Sequence, residues 1–248
     1  MRFAINDVQW SLNVGSEDIA ARESFSSLDR VFELDGLLVS PGKWCHVIKL
    51  CVAGRNYYVK RYAPRGKHLR KVFGPSRAIN EHRNLTFFAH LGIPVPLTVA
   101  YGSQRILGLF RRAALITQEV PSAIDLQTLA RTRPDLIGNR TWLSHLLRKV
   151  AEYVGRIHRD GFTHGDLKWR NILVTPDELP SVYFFDCPNG THRLPVLRPH
   201  YIIRDLACLD RLAPQYLSRS TRLRWYLWYR DRTELTEEDK NILKAIGR

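Results

Sequence analysis

Apolar positions change their period along this chain. Residues 1–29 repeat only weakly and predict an arm or a short helix. From Arg30 the spacing favours strands at 31–34, 37–39, 45–52 and 57–62. Turn signals separate them at Asp35-Gly36, Ser40-Pro41-Gly42-Lys43 and Ala53-Gly54-Arg55-Asn56. Short strands joined by tight turns predict an antiparallel sheet. After Pro75 and Ser76 the pattern turns helical over 77–91, and 97–101, 107–111 and 114–118 return to strands. A helix begins near Asp125. Residues 142–159 are amphipathic, with Leu143, Leu146, Leu147, Val150, Val154 and Ile157 on one stripe and Asp160-Gly161 at the exit. Residues 182–185 predict a strand and Ile202 opens another helix. Residues 219–232 mix Arg with aromatics, and 233–248 are charged and expected at the periphery. The fold class is therefore α+β, divided into an arm (1–29), an N-lobe of sheet and one helix (30–120) and a mostly helical C-lobe (121–248).

Composition supports a folded core: 44% of the 248 residues are hydrophobic and six are Trp. No apolar run approaches the roughly 18 residues of a bilayer span. Asp7, Glu17 and Asp18 near the start argue against a signal or transit peptide. Cys45, Cys51, Cys187 and Cys208 form neither C-x-x-C nor a zinc spacing, so a reduced, cytosolic protein is expected. The formal net charge is +14, unevenly placed. Residues 36–80 contain no acid, and a second Arg cluster runs over 193–232. Such a field attracts phosphates, anionic lipid or glycan, and nucleic acid. The Arg and aromatic residues of 219–232 suit either an interface-seeking helix or a core helix with Arg on its outer face.

One stretch carries chemistry: Thr163-His164-Gly165-Asp166-Leu167-Lys168-Trp169-Arg170-Asn171-Ile172-Leu173-Val174. Apart from Gly165 in place of Arg, it follows the H-R-D-L-x-x-x-N loop of kinases, where Asp is the base and Asn a Mg²⁺ ligand. Asp166 is thus the candidate base, with Lys168 steadying the transferring phosphoryl. Asn171 is a candidate metal ligand, joined by Asp186 at the end of an apolar strand. Lys60 ends Tyr58-Val59-Lys60, the place of the Lys that grips the α/β-phosphates. Glu81, the first acid after Asp35, is its expected partner. Gly42 and Lys43 occupy the place of a phosphate-covering turn, though a plain hairpin fits equally. Glu119 and Val120 follow the last strand, where backbone groups would meet adenine. His164 and Asp205 are expected to support the loop. Asp205 follows Asp186 too closely for a peptide platform between them, which favours a small or glycan acceptor and constitutive activity. The Asp186-Cys187-Pro188 turn departs from D-F-G, and Pro188 restricts any flip.

Together, Lys60, Glu81, His164-Gly165-Asp166, Asn171, Asp186 and Arg204-Asp205-Leu206 resemble the Kdo/heptose lipopolysaccharide kinases of Gram-negative bacteria. The similarity runs over residues 30–230 and includes Tyr57 to Lys60 and Leu217-Ser218-Arg219-Ser220 to Tyr226. This resemblance implies a bilobal protein-kinase-like fold that uses ATP and Mg²⁺. The acceptor it implies is a heptose or Kdo hydroxyl of the lipopolysaccharide inner core. It further implies a cytoplasmic protein, peripheral at the cytosolic face of the inner membrane, whose partner is an anionic glycolipid rather than nucleic acid. Other kinase-like readings are a small-molecule phosphotransferase of the aminoglycoside or choline type, an RNA-associated atypical kinase and a non-catalytic pseudokinase.

Overall fold

The computed structural model describes residues 6–15, 17–42, 44–64 and 74–247. The chain forms two compact units, Met1–Arg83 with Pro96–Val120, and Asn84–Val95 with Pro121–Arg248.

The first unit is built on a six-stranded antiparallel sheet. Its strands are β1 (Asn6–Leu12), β2 (Leu37–Pro41), β3 (Cys45–Val52), β4 (Arg55–Tyr62), β5 (Thr98–Ile106) and β6 (Leu109–Gln118), in the order β1-β5-β6-β4-β3-β2. The β3–β4 and β5–β6 hairpins turn at Ala53-Gly54 and Leu107-Gly108, with positive φ at both positions of each turn. That backbone matches the twist of the flanking strands. Two long strands replace the three short ones expected over 97–118. Gly102 lies inside β5, where a Cβ would stand 2.1 Å from the Gln9 carbonyl oxygen, so glycine lets β1 approach closely.

The start of the chain differs from expectation. β1 pairs with β5 along its length, from Asn6 opposite Ile106 to Leu12 opposite Ala100. Two short helices follow, α1 (Ile19–Ser24) and α2 (Leu28–Glu33), capped by the Asp18 and Ser27 side chains. Residues 31–34 are therefore not a strand. Ala21, Phe25, Leu28 and Val31 recur at helical spacing and are all buried, with Phe25 edge-on to Tyr57 at 5.0 Å. Burial of that stripe outweighs the β propensity of Val31-Phe32.

Helix α3 (Arg77–His90) contributes its residues up to Arg83 to the first unit and those from Asn84 to the second. The second unit adds β7 (Ile124–Asp125), α4 (Leu126–Thr132), α5 (Pro134–Gly138), α6 (Arg140–Arg159), β8 (Phe162–Thr163), β9 (Ile172–Val174), β10 (Val182–Phe184), β11 (Thr191–His192), α7 (Arg198–Asp210), α8 (Arg219–Arg230) and α9 (Glu237–Ile246). Its core is the stripe of α6: Leu146, Leu147, Val150, Val154 and Ile157 are buried. Asn139 starts that helix by accepting from the Thr141 and Trp142 N–H groups, both at 3.1 Å.

In α8 the aromatics face the core. Tyr226 and Tyr229 are buried, and Trp225 stacks on Tyr229 at 5.6 Å. Of the two readings of 219–232, the packing matches the core helix. Residues 233–248 are not all peripheral either. Asp239 is fully buried and accepts from Thr236 Oγ1 at 2.7 Å and Tyr226 OH at 3.0 Å, beside Arg230 (2.9 Å) and Arg232 (2.8 Å). Burial pushes its pKa up, but the bonds from Thr236, Tyr226 and Arg232 prevail and hold it well below the usual carboxylate range. No described helix is long and apolar enough to cross a membrane.

Candidate active site

In the first unit, Lys60 sits near the end of β4 between Val47 of β3 and Leu115 of β6. Its Nζ lies 2.5 Å from Glu81 Oε1, and both residues are buried, at 8% and 1% exposure. Tyr62, two residues on and so on the same strand face, donates to Glu81 Oε2 at 2.6 Å. Two charges removed from water are costly unless held in good geometry, so the pair marks a fixed ammonium more than a source of stability.

Glu119 belongs to a different cluster. Its carboxylate accepts from Lys49 Nζ (2.6 Å), Asn56 Nδ2 (2.6 Å) and Tyr58 OH (3.1 Å). Burial raises its pKa, yet these three bonds outweigh burial and leave it lowered. The Glu119 N–H already donates to Asn56 O at 2.8 Å, so of its backbone groups only the carbonyl is left for a nucleotide base. Val120 follows and is half-buried. Gly42 follows β2, and a Cβ there would stand 2.3 Å from Cys45 O, so the turn itself demands glycine. Lys43 lies outside the described residues.

In the second unit, β8 leads into the loop of His164, Gly165 and Asp166. Lys168 Nζ lies 2.5 Å from Asp166 Oδ1. Asn171 Nδ2 donates to the Asp166 carbonyl at 2.8 Å and to Oδ2 at 3.2 Å. Buried Asp205 on α7 accepts from the His164 N–H at 2.6 Å and the Gly165 N–H at 2.9 Å. Gly165 has φ +77°, and a Cβ there would meet Asn189 O at 3.2 Å. An L-residue is disfavoured in that backbone, which gives glycine a physical reason at this position.

His164 is fully buried, with its ring stacked near Phe88 at 6.0 Å and edge-on to Phe184 at 6.4 Å. Burial lowers its pKa against the pull of Asp205, Asp186 and Asp166, so the ring is neutral and part of the packing. His158 joins from α6: Nδ1 is 2.9 Å from Tyr229 OH and Nε2 is 3.4 Å from Asp205 Oδ2.

Asp186 follows β10 with φ +54°, a conformation Asp tolerates better than most residues. The Phe185 N–H just before it donates to Asn171 O at 3.3 Å, tying the two candidate metal-ligand segments together. Among the described residues no group of three His, Cys, Asp or Glu could form an all-protein metal cage. Asn171, whose amide nitrogen faces Asp166, and Asp186 supply hard oxygen donors. Two such ligands fit Mg²⁺, which is usually completed by water and substrate phosphates.

The lipopolysaccharide kinase (Kdo/WaaP) family matches residues 41–245. The chain belongs to that family. A 3-deoxy-D-manno-octulosonic acid kinase of Vibrio vulnificus (strain YJ016) is 28% identical over 116 residues, 47% of this chain and 46% of that protein. One of Xylella fastidiosa (strain M23) is 27% identical over 139 residues, 55% and 51%. The chain thus spans about half the length of the curated relatives it matches. A solved structure of WaaP in complex with acyl carrier protein shares the fold, with TM-score 0.72 over 97% of both chains at 21% identity.

Sequence reasoning names Lys60, Glu81 and the loop, but misses three side chains or pairs that support them. Tyr62 was discoverable as the same-face neighbour of Lys60. Asn84, whose Nδ2 donates to Cys187 O (2.7 Å) and Gly190 O (3.0 Å), and the His158–Tyr229 pair had no local signal.

Proposed function

We propose that this chain transfers the γ-phosphoryl group of ATP to a heptose or Kdo hydroxyl of the lipopolysaccharide inner core, at the cytosolic face of the inner membrane. The observation that carries this reading is the loop geometry: Asp166 is held by Lys168 on one oxygen and Asn171 on the other, over amides bonded to Asp205. Asn171 and Asp186 would hold Mg²⁺, which would supply charge neutralisation for the phosphates. Asp166 orients the acceptor hydroxyl and takes its proton. Lys168 steadies the transferring group. Lys60, fixed by Glu81, grips the α/β-phosphates, and the Glu119 carbonyl and Val120 backbone meet adenine. Phosphoryl transfer depends chiefly on such positioning and electrostatics.

The test is transfer of phosphate from ATP to purified inner-core saccharide, read by mass spectrometry. Asp166→Ala abolishes transfer and leaves nucleotide binding largely intact. Normal turnover by that variant, or no transfer by the wild type to any core saccharide, rejects the reading.

A further inference from the structure

Between Asp186 and Asp205 the chain carries Arg193, Arg198 and Arg204, with His192 and His200, and no acid. Within it, a single 3-10 turn at Pro195–Leu197 lifts three apolar side chains into solvent: Leu194 is 68%, Val196 83% and Leu197 45% exposed. Single exposed apolar residues need no explanation, but three adjacent ones inside a purely basic segment do.

The base of this tip is firmly held. The Arg193 N–H donates to Gly161 O and its Nε to Thr163 Oγ1, both at 3.0 Å. Its guanidinium lies 3.8 Å from the Tyr201 ring centroid. Arg198 Nε donates to Arg193 O at 3.0 Å. The Leu197 N–H closes the turn on Leu194 O at 2.9 Å. β11, just before the tip, pairs Thr191 with Thr163 of β8, the strand that delivers Asp166.

We propose that Leu194, Val196 and Leu197 insert into the surface of an anionic lipid bilayer, with Arg193, Arg198 and Arg204 against its phosphates. This rests on the glycolipid-kinase reading, which it deepens by naming the element that meets the membrane. An exposed apolar tip flanked by three arginines, with the one acid at its base, Asp160, engaged by His192 at 2.6 Å, suits a layer that is anionic above and apolar below. Because the base is already ordered, insertion sacrifices little conformational freedom.

The experiment is flotation of the full chain with phosphatidylethanolamine/phosphatidylglycerol vesicles and with phosphatidylcholine vesicles. The wild type floats with the first and not the second, and high salt weakens binding. Val196→Asp with Leu197→Asp lowers partitioning at least tenfold, while the control Leu179→Asp, at a 65% exposed position before β10, leaves it unchanged. The double variant also keeps its rate on lipid-free core saccharide and loses about tenfold on vesicle-embedded acceptor. Wild-type vesicle binding by the double variant overturns the proposal. Vesicle binding through the tip without transfer to any saccharide upholds the insertion and rejects the kinase reading instead.

Discussion

Asp205→Asn tests the anchorage of the catalytic loop with almost no change in shape. The carboxylate is 2% exposed and bonds two consecutive N–H groups, those of His164 and Gly165. A hydrogen bond to a charged acceptor contributes about 1.5–3 kcal/mol. Asn keeps one oxygen and presents an NH₂ donor where the other stood. One bond falls to neutral strength, about 1 kcal/mol. The other is lost and leaves a buried donor facing a donor, which costs about 1–3 kcal/mol. The net loss is roughly 3 kcal/mol, a large share of the ~5–15 kcal/mol typical of a folded domain. With a urea slope near ~3 kcal/mol per molar, the unfolding midpoint falls by about 1 M. Tryptophan fluorescence in a urea titration reads that shift, and the phosphate-transfer assay reads the function. Turnover drops at least tenfold, because the Gly165–Asp166 peptide loses its fixed position. Nucleotide affinity is unchanged, since the Lys60–Glu81 pair is untouched. A variant with the wild-type midpoint and turnover would refute the reasoning.

Glu81→Gln removes the charge facing Lys60 at 2.5 Å and leaves the Tyr62 bond in place. It weakens ATP binding at least tenfold in titration calorimetry while the lipid-free acceptor still binds; unaltered ATP affinity would remove Lys60 from the phosphate grip. Gly165→Ala places a side chain at φ +77° near Asn189 O and costs about 1–2 kcal/mol, seen as a lower melting temperature with reduced turnover. Asp239→Asn breaks a buried carboxylate's pairing with Arg230 and Arg232. The cost is about 3 kcal/mol, at the low end for a buried pair because both arginines are partly exposed. The lowered folded pKa makes that contribution fully present above the ordinary carboxylate value and lost as pH falls below about 4. The wild-type advantage over the variant therefore narrows in acid denaturation; a constant gap would contradict the assignment.

The parts legible in the sequence were those whose spacing is local. Asp166, Lys168 and Asn171 share one loop, and a shift from period 2 to period 3.6 separates sheet from helices. What stayed hidden depends on distant partners. β1 is defined by pairing with β5, and 31–33 is helical because Val31 completes a buried stripe begun at Ala21. Asp239 reads as one more surface acid until Tyr226, Arg230 and Arg232 are folded around it. Gly165 could be seen as a departure, but its reason is a backbone angle and the nearness of Asn189.

The turn after Asp186 is pinned at both ends by one side chain, since Asn84 bonds the carbonyls of Cys187 and Gly190, and Pro188 stiffens the middle. Swinging the segment outward would break both of those bonds at once. A compound designed to trap that aspartate in a swung-out pose would have to repay their loss before it gained anything from its own contacts.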